Sequence, residues 1–208
     1  MLGISQKREK LFVLILAELV SVLAMVFLSI YLLRMQAVGQ DSYKSATELR
    51  YESYLLADQL RQSSDDLTRM VRSYAVSGNS QFEQYFWDIL SIRDGKKNRP
   101  NYYERVYWDF MTVSNPEPPF DDGNKAPLEE LMRLAGFTPN EFQLLSQAQR
   151  NSDDLVHLEQ VAMNAMIGKF QDSDGQFNIQ KKPDPIFAQN LLFGDKYHEA
   201  KKYNETYQ

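Results

Sequence analysis

LFVLILAELVSVLAMVFLSIYLL, residues 11 to 33, runs for 23 residues with Glu18 as its only charged side chain. As one helix it rises about 34 Å, enough to cross a hydrocarbon layer ~30 Å thick. The apolar core of a cleaved signal peptide stops at about 7–15 residues. So although Ala37-Val38-Gly39 offers small residues for cleavage, the stretch reads as a retained anchor. Lys7, Arg8 and Lys10 precede it, and Arg34 is the one basic residue among the ten that follow. The positive-inside bias therefore places the N-terminus in the cytoplasm and everything beyond Arg34 outside. The chain divides into a cytoplasmic tail (1–10), a transmembrane helix (11–33) and an exported domain (34–208). Glu18 at mid-span costs ~2.5–3.5 kcal/mol on insertion scales, a cost that a partner in a neighbouring helix relieves. An oligomer, most simply a homodimer, is expected.

Composition limits what the anchor carries. The net charge is -5; the tail holds +2 of it and Glu18 -1, which leaves -6 outside the membrane. An acidic exported domain argues against nucleic acid as a partner. There is no cysteine, so no disulfide compensates for a small core and the domain must fold by packing alone.

The dominant period after the anchor is helical. From Arg34 to Val76 there is no proline and one glycine, while Leu56, Leu60, Leu67, Val71 and Tyr74 recur at helical spacing. One helix is expected to run straight out of the membrane and stop at Ser77-Gly78-Asn79. Ser80-x-x-Glu83 reads as a capping box opening a second helix, closed by Asp94-Gly95. A third covers YYERVYWDFM (102–111), and four prolines make Ser114 to Pro127 a surface loop. Pro127 and Gly136 frame a short helix. Thr138-Pro139-Asn140-Glu141 combines a capping box with proline at the first helical position and starts a long helix to about Met166. A turn-rich excursion, a helix from Asp184-Pro185 to Gly194 and a final helix follow. Almost no period-two alternation is visible. The expected fold class is all-α: the transmembrane helix continuing into a long-helix, four-helix-type bundle with short distal helices.

Two side-chain clusters are candidates for binding. Asp65, Arg69 and Arg72 share a helix face, and two guanidiniums three residues apart suit a carboxylate or phosphate; an ordinary Asp65–Arg69 surface pair fits the same spacing. Tyr102, Tyr103, Tyr107, Trp108 and Phe110, interleaved with Glu104 and Asp109, suit an amine cation; ordinary core fits them equally. Arg69 and Arg72 with Tyr107 or Trp108 over an apolar part describe an anionic ligand, and Asp109 with the aromatics an amine. Asp172-x-Asp174-Gly175 lacks the spacing and the twelfth-position glutamate of a calcium loop, and His157 and His198 have no second histidine at ligand spacing. No metal, no cofactor and no catalytic motif is expected.

QLRQSSDDLTRMVRSYAVSGNSQFEQYFWDILSIRDGKKNRP, then YWD at 107–109 and NSDDLVHLEQVAMNAM from Asn151 to Met166, resembles the extracytoplasmic sensory region of bacterial transmembrane signalling proteins. Sensor histidine kinases, diguanylate cyclases and methyl-accepting chemotaxis proteins carry such regions. The resemblance covers about residues 50 to 205. It implies a periplasmic, non-enzymatic, ligand-sensing helical bundle between two spans of the inner membrane, usually dimeric, with an output domain of kinase, cyclase or chemotaxis type. Residues 34–208 hold neither a second apolar span nor an output domain. A periplasmic protein-interaction module without a small ligand is the competing reading.

Overall fold

The computed structural model describes the backbone of residues 2–206 and the side chains of 7, 8, 10–40 and 43–202. The chain is mostly helical, 72% with seven helices among the described residues. It separates into two compact units, Met1–Arg50 and Tyr51–Gln208. Helix α1, Leu2–Ser77, supplies all of the described part of the first and the opening of the second.

In the first unit the apolar stretch is fully exposed, with a mean hydropathy of 2.8 over its best 18-residue window. It is long and apolar enough to cross a membrane. Leu11 to Leu33 present no side chain to a protein core, and residues 34–40 and 43–50 are exposed as well.

The second unit is built on the last third of α1. Its Leu60, Leu67, Val71 and Tyr74 are all buried within their own unit, with Leu56 partly buried beside them. The stripe picked out by spacing is thus a core stripe. Gly78, at φ +69°, ends the helix by donating its N–H to Tyr74 O at 2.8 Å, the left-handed stop that glycine adopts without strain.

Helix α2, Ser80–Arg93, is capped by Asn79, whose side chain accepts from Gln81 N at 3.0 Å. The cap is one residue earlier than the Ser80-x-x-Glu83 pattern implies. α2 buries Tyr85, Phe86, Ile89 and Ile92. At Gly95 (φ +70°) a Cβ would stand 2.6 Å from the Pro127 ring. Only glycine lets the end of α2 approach Pro127 so closely.

The expected helix over 102–111 is shorter. Tyr102 has φ +54° and Arg105 N–H bonds back to Tyr102 O at 2.9 Å, so residues 102–105 form a turn. Helix α3 covers only Tyr107–Met111. α4 is Leu128–Leu134 and α5 Pro139–Met166. Both halves of the α5 capping box are present: Glu141 Oε2 accepts from Thr138 N at 2.7 Å, and Thr138 Oγ1 accepts from Glu141 N at 3.4 Å. Thr138→Ala is expected to lower stability by about 1 kcal/mol, read by thermal unfolding followed through tryptophan fluorescence. An unchanged midpoint would mean that this end of α5 frays in the native state.

The excursion after α5 holds the one strand pair among the described residues, apart from a single antiparallel bridge between Pro100 and Asp122. Strands β1, Lys169–Phe170, and β2, Ile179–Gln180, pair antiparallel with Phe170 opposite Ile179. Between them Asp172 accepts from Asp174 N, Gln176 N and Asn178 Nδ2 at 2.8–3.0 Å. Its carboxyl sits below the ordinary range because of those donors, the Gln176 backbone first. Helices α6, Pro185–Phe193, and α7, Asp195–Thr206, close the unit, and α5 packs against both and against β1. Leu67, Met70, Phe86, Ile89, Leu155, Met163, Leu192 and Tyr197 meet in the main core. Leu60 of α1, Leu128 and Met132 of α4 and Ala148 of α5 form a second, smaller one.

Candidate ligand-binding site

Asp65, Arg69 and Arg72 do lie together. They line an open groove of about 660 Å³ with Thr68, Ser73, Phe82 and Phe193. Within it each charge already has protein partners. Asp65 bridges Arg61 at 2.9 Å and Lys201 at 2.7 Å. Arg69 pairs with Asp66 at 2.6 Å and with Asp109 from α3. Arg72 points both Nε (3.2 Å) and Nη2 (2.8 Å) at Leu192 O, and its guanidinium lies 4.6 Å from the Phe193 ring centre and 5.0 Å from that of Tyr197. Burial pushes the Asp66 carboxyl up to about 6 in spite of Arg69. This is a network that ties α1 to α3, α6 and α7, with Asp109 joined to the groove through Arg69 alone.

Tyr107 and Trp108 are not part of the groove. Both are buried, 8% and 3% exposed, and Trp108 Nε1 donates to Tyr103 OH at 2.7 Å. Trp108 packs with Tyr85 and Tyr107, centroids 5.3 and 5.2 Å apart. The aromatic cluster is core that holds α3 against α2. Of the five aromatics, only Tyr102 and Phe110 are exposed.

Spacing arguments missed a buried polar seam. Glu159, wholly buried on α5, accepts from Tyr197 OH at 2.6 Å and from Thr68 Oγ1 at 3.4 Å, and its Oε2 has no partner. Tyr197 OH also lies 2.9 Å from Thr68 Oγ1. Burial pushes the Glu159 carboxyl up to about 7 against the pull of Tyr197, Lys201, Thr68 and Arg93. Arg93, 7% exposed, donates to Ser152 Oγ and Asp153 Oδ1, each at 2.9 Å. The signal was available: Glu159 stands four residues after Leu155 and three before Ala162, inside the apolar stripe of α5, where a charged residue is out of place.

A second opening lies where α1, α4 and α5 meet. It is a half-enclosed cavity of about 220 Å³ whose apolar lining is Leu60, Leu128, Met132, Phe142 and Leu145. Glu129, Ser146, Gln149 and Arg150 complete it. An apolar guest seated on that lining removes hydrocarbon surface from water on both sides, which favours its binding. The hydroxyl, amide and guanidinium rim supplies the few oriented polar groups that ligand sites carry. Only Leu60 belonged to a pattern legible beforehand. Among the described residues no group of three or more histidine, aspartate or glutamate side chains is placed to hold a metal. No protein-family model, curated protein or solved structure matches this chain.

Proposed function

We propose that this chain is the ligand-sensing part of a membrane-anchored bacterial signalling receptor. Residues 11–33 anchor it in the inner membrane with the N-terminus in the cytoplasm, and the second unit samples the periplasm as a homodimeric, four-helix-type bundle without enzymatic activity. The observation that carries this reading is the cavity between α1, α4 and α5, because its apolar wall includes Leu60, a residue of the helix that also holds the apolar stretch. A ligand there shifts the receptor between two arrangements of its helices by its differential affinity for them, and a piston or rotation of α1 is the motion that suits a continuous helix. The charge network around Arg69 and Arg72 serves to hold α1 to its neighbours.

The full chain in mild detergent tests this reading against a panel of small carboxylates, alcohols and amines. A compound that binds only the folded state raises the melting temperature. At least one is expected to do so by several degrees at millimolar concentration, with the shift lost in Ser146→Trp, which fills the mouth of the cavity from an exposed position. No shift from any compound, or a shift that Ser146→Trp leaves intact, would hand the unit to the protein-interaction reading. The exposed Val106, Phe110 and Val113 favour that second reading.

A further inference from the structure

The lining of the α1/α4/α5 cavity specifies more than an apolar guest. Its floor is hydrocarbon from three helices: Leu60, Leu128 and Met132, each under 5% exposed, with Phe142 and Leu145 half-buried beside them. A volume of about 220 Å³ exceeds the ~150 Å³ that takes a benzene ring, so the guest has the bulk of one ring or about six carbons. The polar part of the lining is asymmetric. Ser146, Gln149 and Arg150 follow at i, i+3 and i+4 on α5 and therefore present their donors on one face, whereas α4 contributes the single carboxylate of Glu129.

Not all of those donors are free to serve. Gln149 Nε2 already donates to Asp153 Oδ1 at 3.0 Å. Arg150 differs from Arg69, Arg61 and Arg93, each of which is matched by an aspartate. Its Nη2 donates to the neutral Gln147 amide oxygen at 2.8 Å, so its positive charge meets no carboxylate in an ion pair among the described residues. A cation of that kind at the rim of an apolar cup, with a hydroxyl one turn before it, fits an anionic group at the end of a hydrocarbon body.

We infer that the cavity takes a small monocarboxylate with an apolar body of about six carbons or one ring, its carboxylate held by Arg150 and Ser146 and its hydrocarbon seated on Leu60, Leu128 and Met132. This rests on the receptor reading above and narrows it to a ligand class. The guest touches α1 through Leu60 alone, so recognition comes from α5 and the response from α1.

Hexanoate, hexanol and hexylamine, each six carbons long and differing in the polar end, separate the possibilities on the full chain in detergent at low salt. Hexanoate is expected to bind at least tenfold more tightly than hexanol. Arg150→Gln is expected to bring hexanoate down to the level of hexanol while leaving hexanol and the ligand-free melting temperature unchanged, since Arg150 is exposed and holds only Gln147. Ser146→Trp is expected to abolish both. Equal affinity for hexanol and hexanoate, or an Arg150→Gln protein that keeps its preference, overturns the carboxylate assignment while the receptor reading stands. Preference for hexylamine overturns it as well and assigns recognition to Glu129. If none of the three binds but another small molecule does so in a manner blocked by Ser146→Trp, the ligand class is wrong and the site survives; if Ser146→Trp affects no binding at all, both proposals fall together.

Discussion

Between pH 4.5 and pH 8 the second unit is expected to lose about 3 kcal/mol of stability through Glu159 alone, and Glu159→Gln is expected to remove that loss. The carboxyl is wholly buried between α1, α5 and α7, and burial raises its proton affinity from an ordinary 4.5 to about 7. The folded state therefore holds the proton more tightly than the unfolded chain does. The stabilising contribution is complete below pH 4.5, where both states are protonated at this group. It is lost as pH climbs to 7, where the folded protein must either ionise a buried group or keep a proton the solvent would take. At ~1.4 kcal/mol per tenfold change in proton affinity this amounts to about 3 kcal/mol. Tyr197 and Lys201 from α7, Thr68 from α1 and Arg93 from α2 all favour the ionised form, yet burial outweighs them.

Asp66, pushed up from 3.8 to about 6 by burial, acts with the same sign over the lower range, pH 3.8 to 6. In Glu159→Gln the new amide keeps an acceptor for Tyr197 and places its nitrogen where Oε2 of the native Glu159 has no partner. The variant is thus expected to be less stable than wild type at pH 4.5 and more stable at pH 8. Both tryptophans, Trp87 and Trp108, lie in this unit, so fluorescence-detected unfolding of the full chain reads it directly. A wild-type pH slope retained in Glu159→Gln would place the charge of Glu159 in water.

The parts of this molecule written in short-range signals were legible in its sequence. The Gly78 stop, the Thr138 capping box and the Asp184-Pro185 helix start depend on residues within four positions of one another, and the structure has each of them. Two-residue strands have no period to detect, and the positive φ of Tyr102 has no glycine to announce it, which is why the β1–β2 hairpin and the late start of α3 escaped. The site divides along the same line. Spacing of four and three put Asp65, Arg69 and Arg72 on one face, and they do share a groove. What those side chains do there depends on Asp109, forty residues on, and on Leu192 O, one hundred and twenty residues on. Partners that far away convert two apparent free cations into structural ties, and only the folded chain reveals them. Tyr107 and Trp108 went the other way: their aromatic surface is used inside, against Tyr85 and Tyr103.

Met25→Asp combined with Leu28→Asp is expected to release the protein from membranes. Both residues are exposed apolar members of the 11–33 stretch, and Glu18 already offsets part of the favourable transfer energy of that helix. Each carboxylate near mid-span costs ~2.5–3.5 kcal/mol on insertion scales, so the pair adds about 5–7 kcal/mol. The fifteen leucine, isoleucine, phenylalanine and valine residues left in the stretch return about 5–9 kcal/mol at ~0.3–0.6 each, whereas the two aspartates and Glu18 together cost about 8–11 kcal/mol, so the balance turns against insertion. Wild-type protein should stay in the membrane pellet after alkaline extraction, and the double variant should appear in the supernatant or fail to be integrated. The second unit contributes nothing to this balance, because Met25 and Leu28 belong to the other unit; the tryptophan-detected melting of any soluble double variant should match that of wild type. Wild-type protein that extracts freely at alkaline pH, or that yields a mature chain beginning near Gln40, would show that residues 11–33 direct export and are then removed.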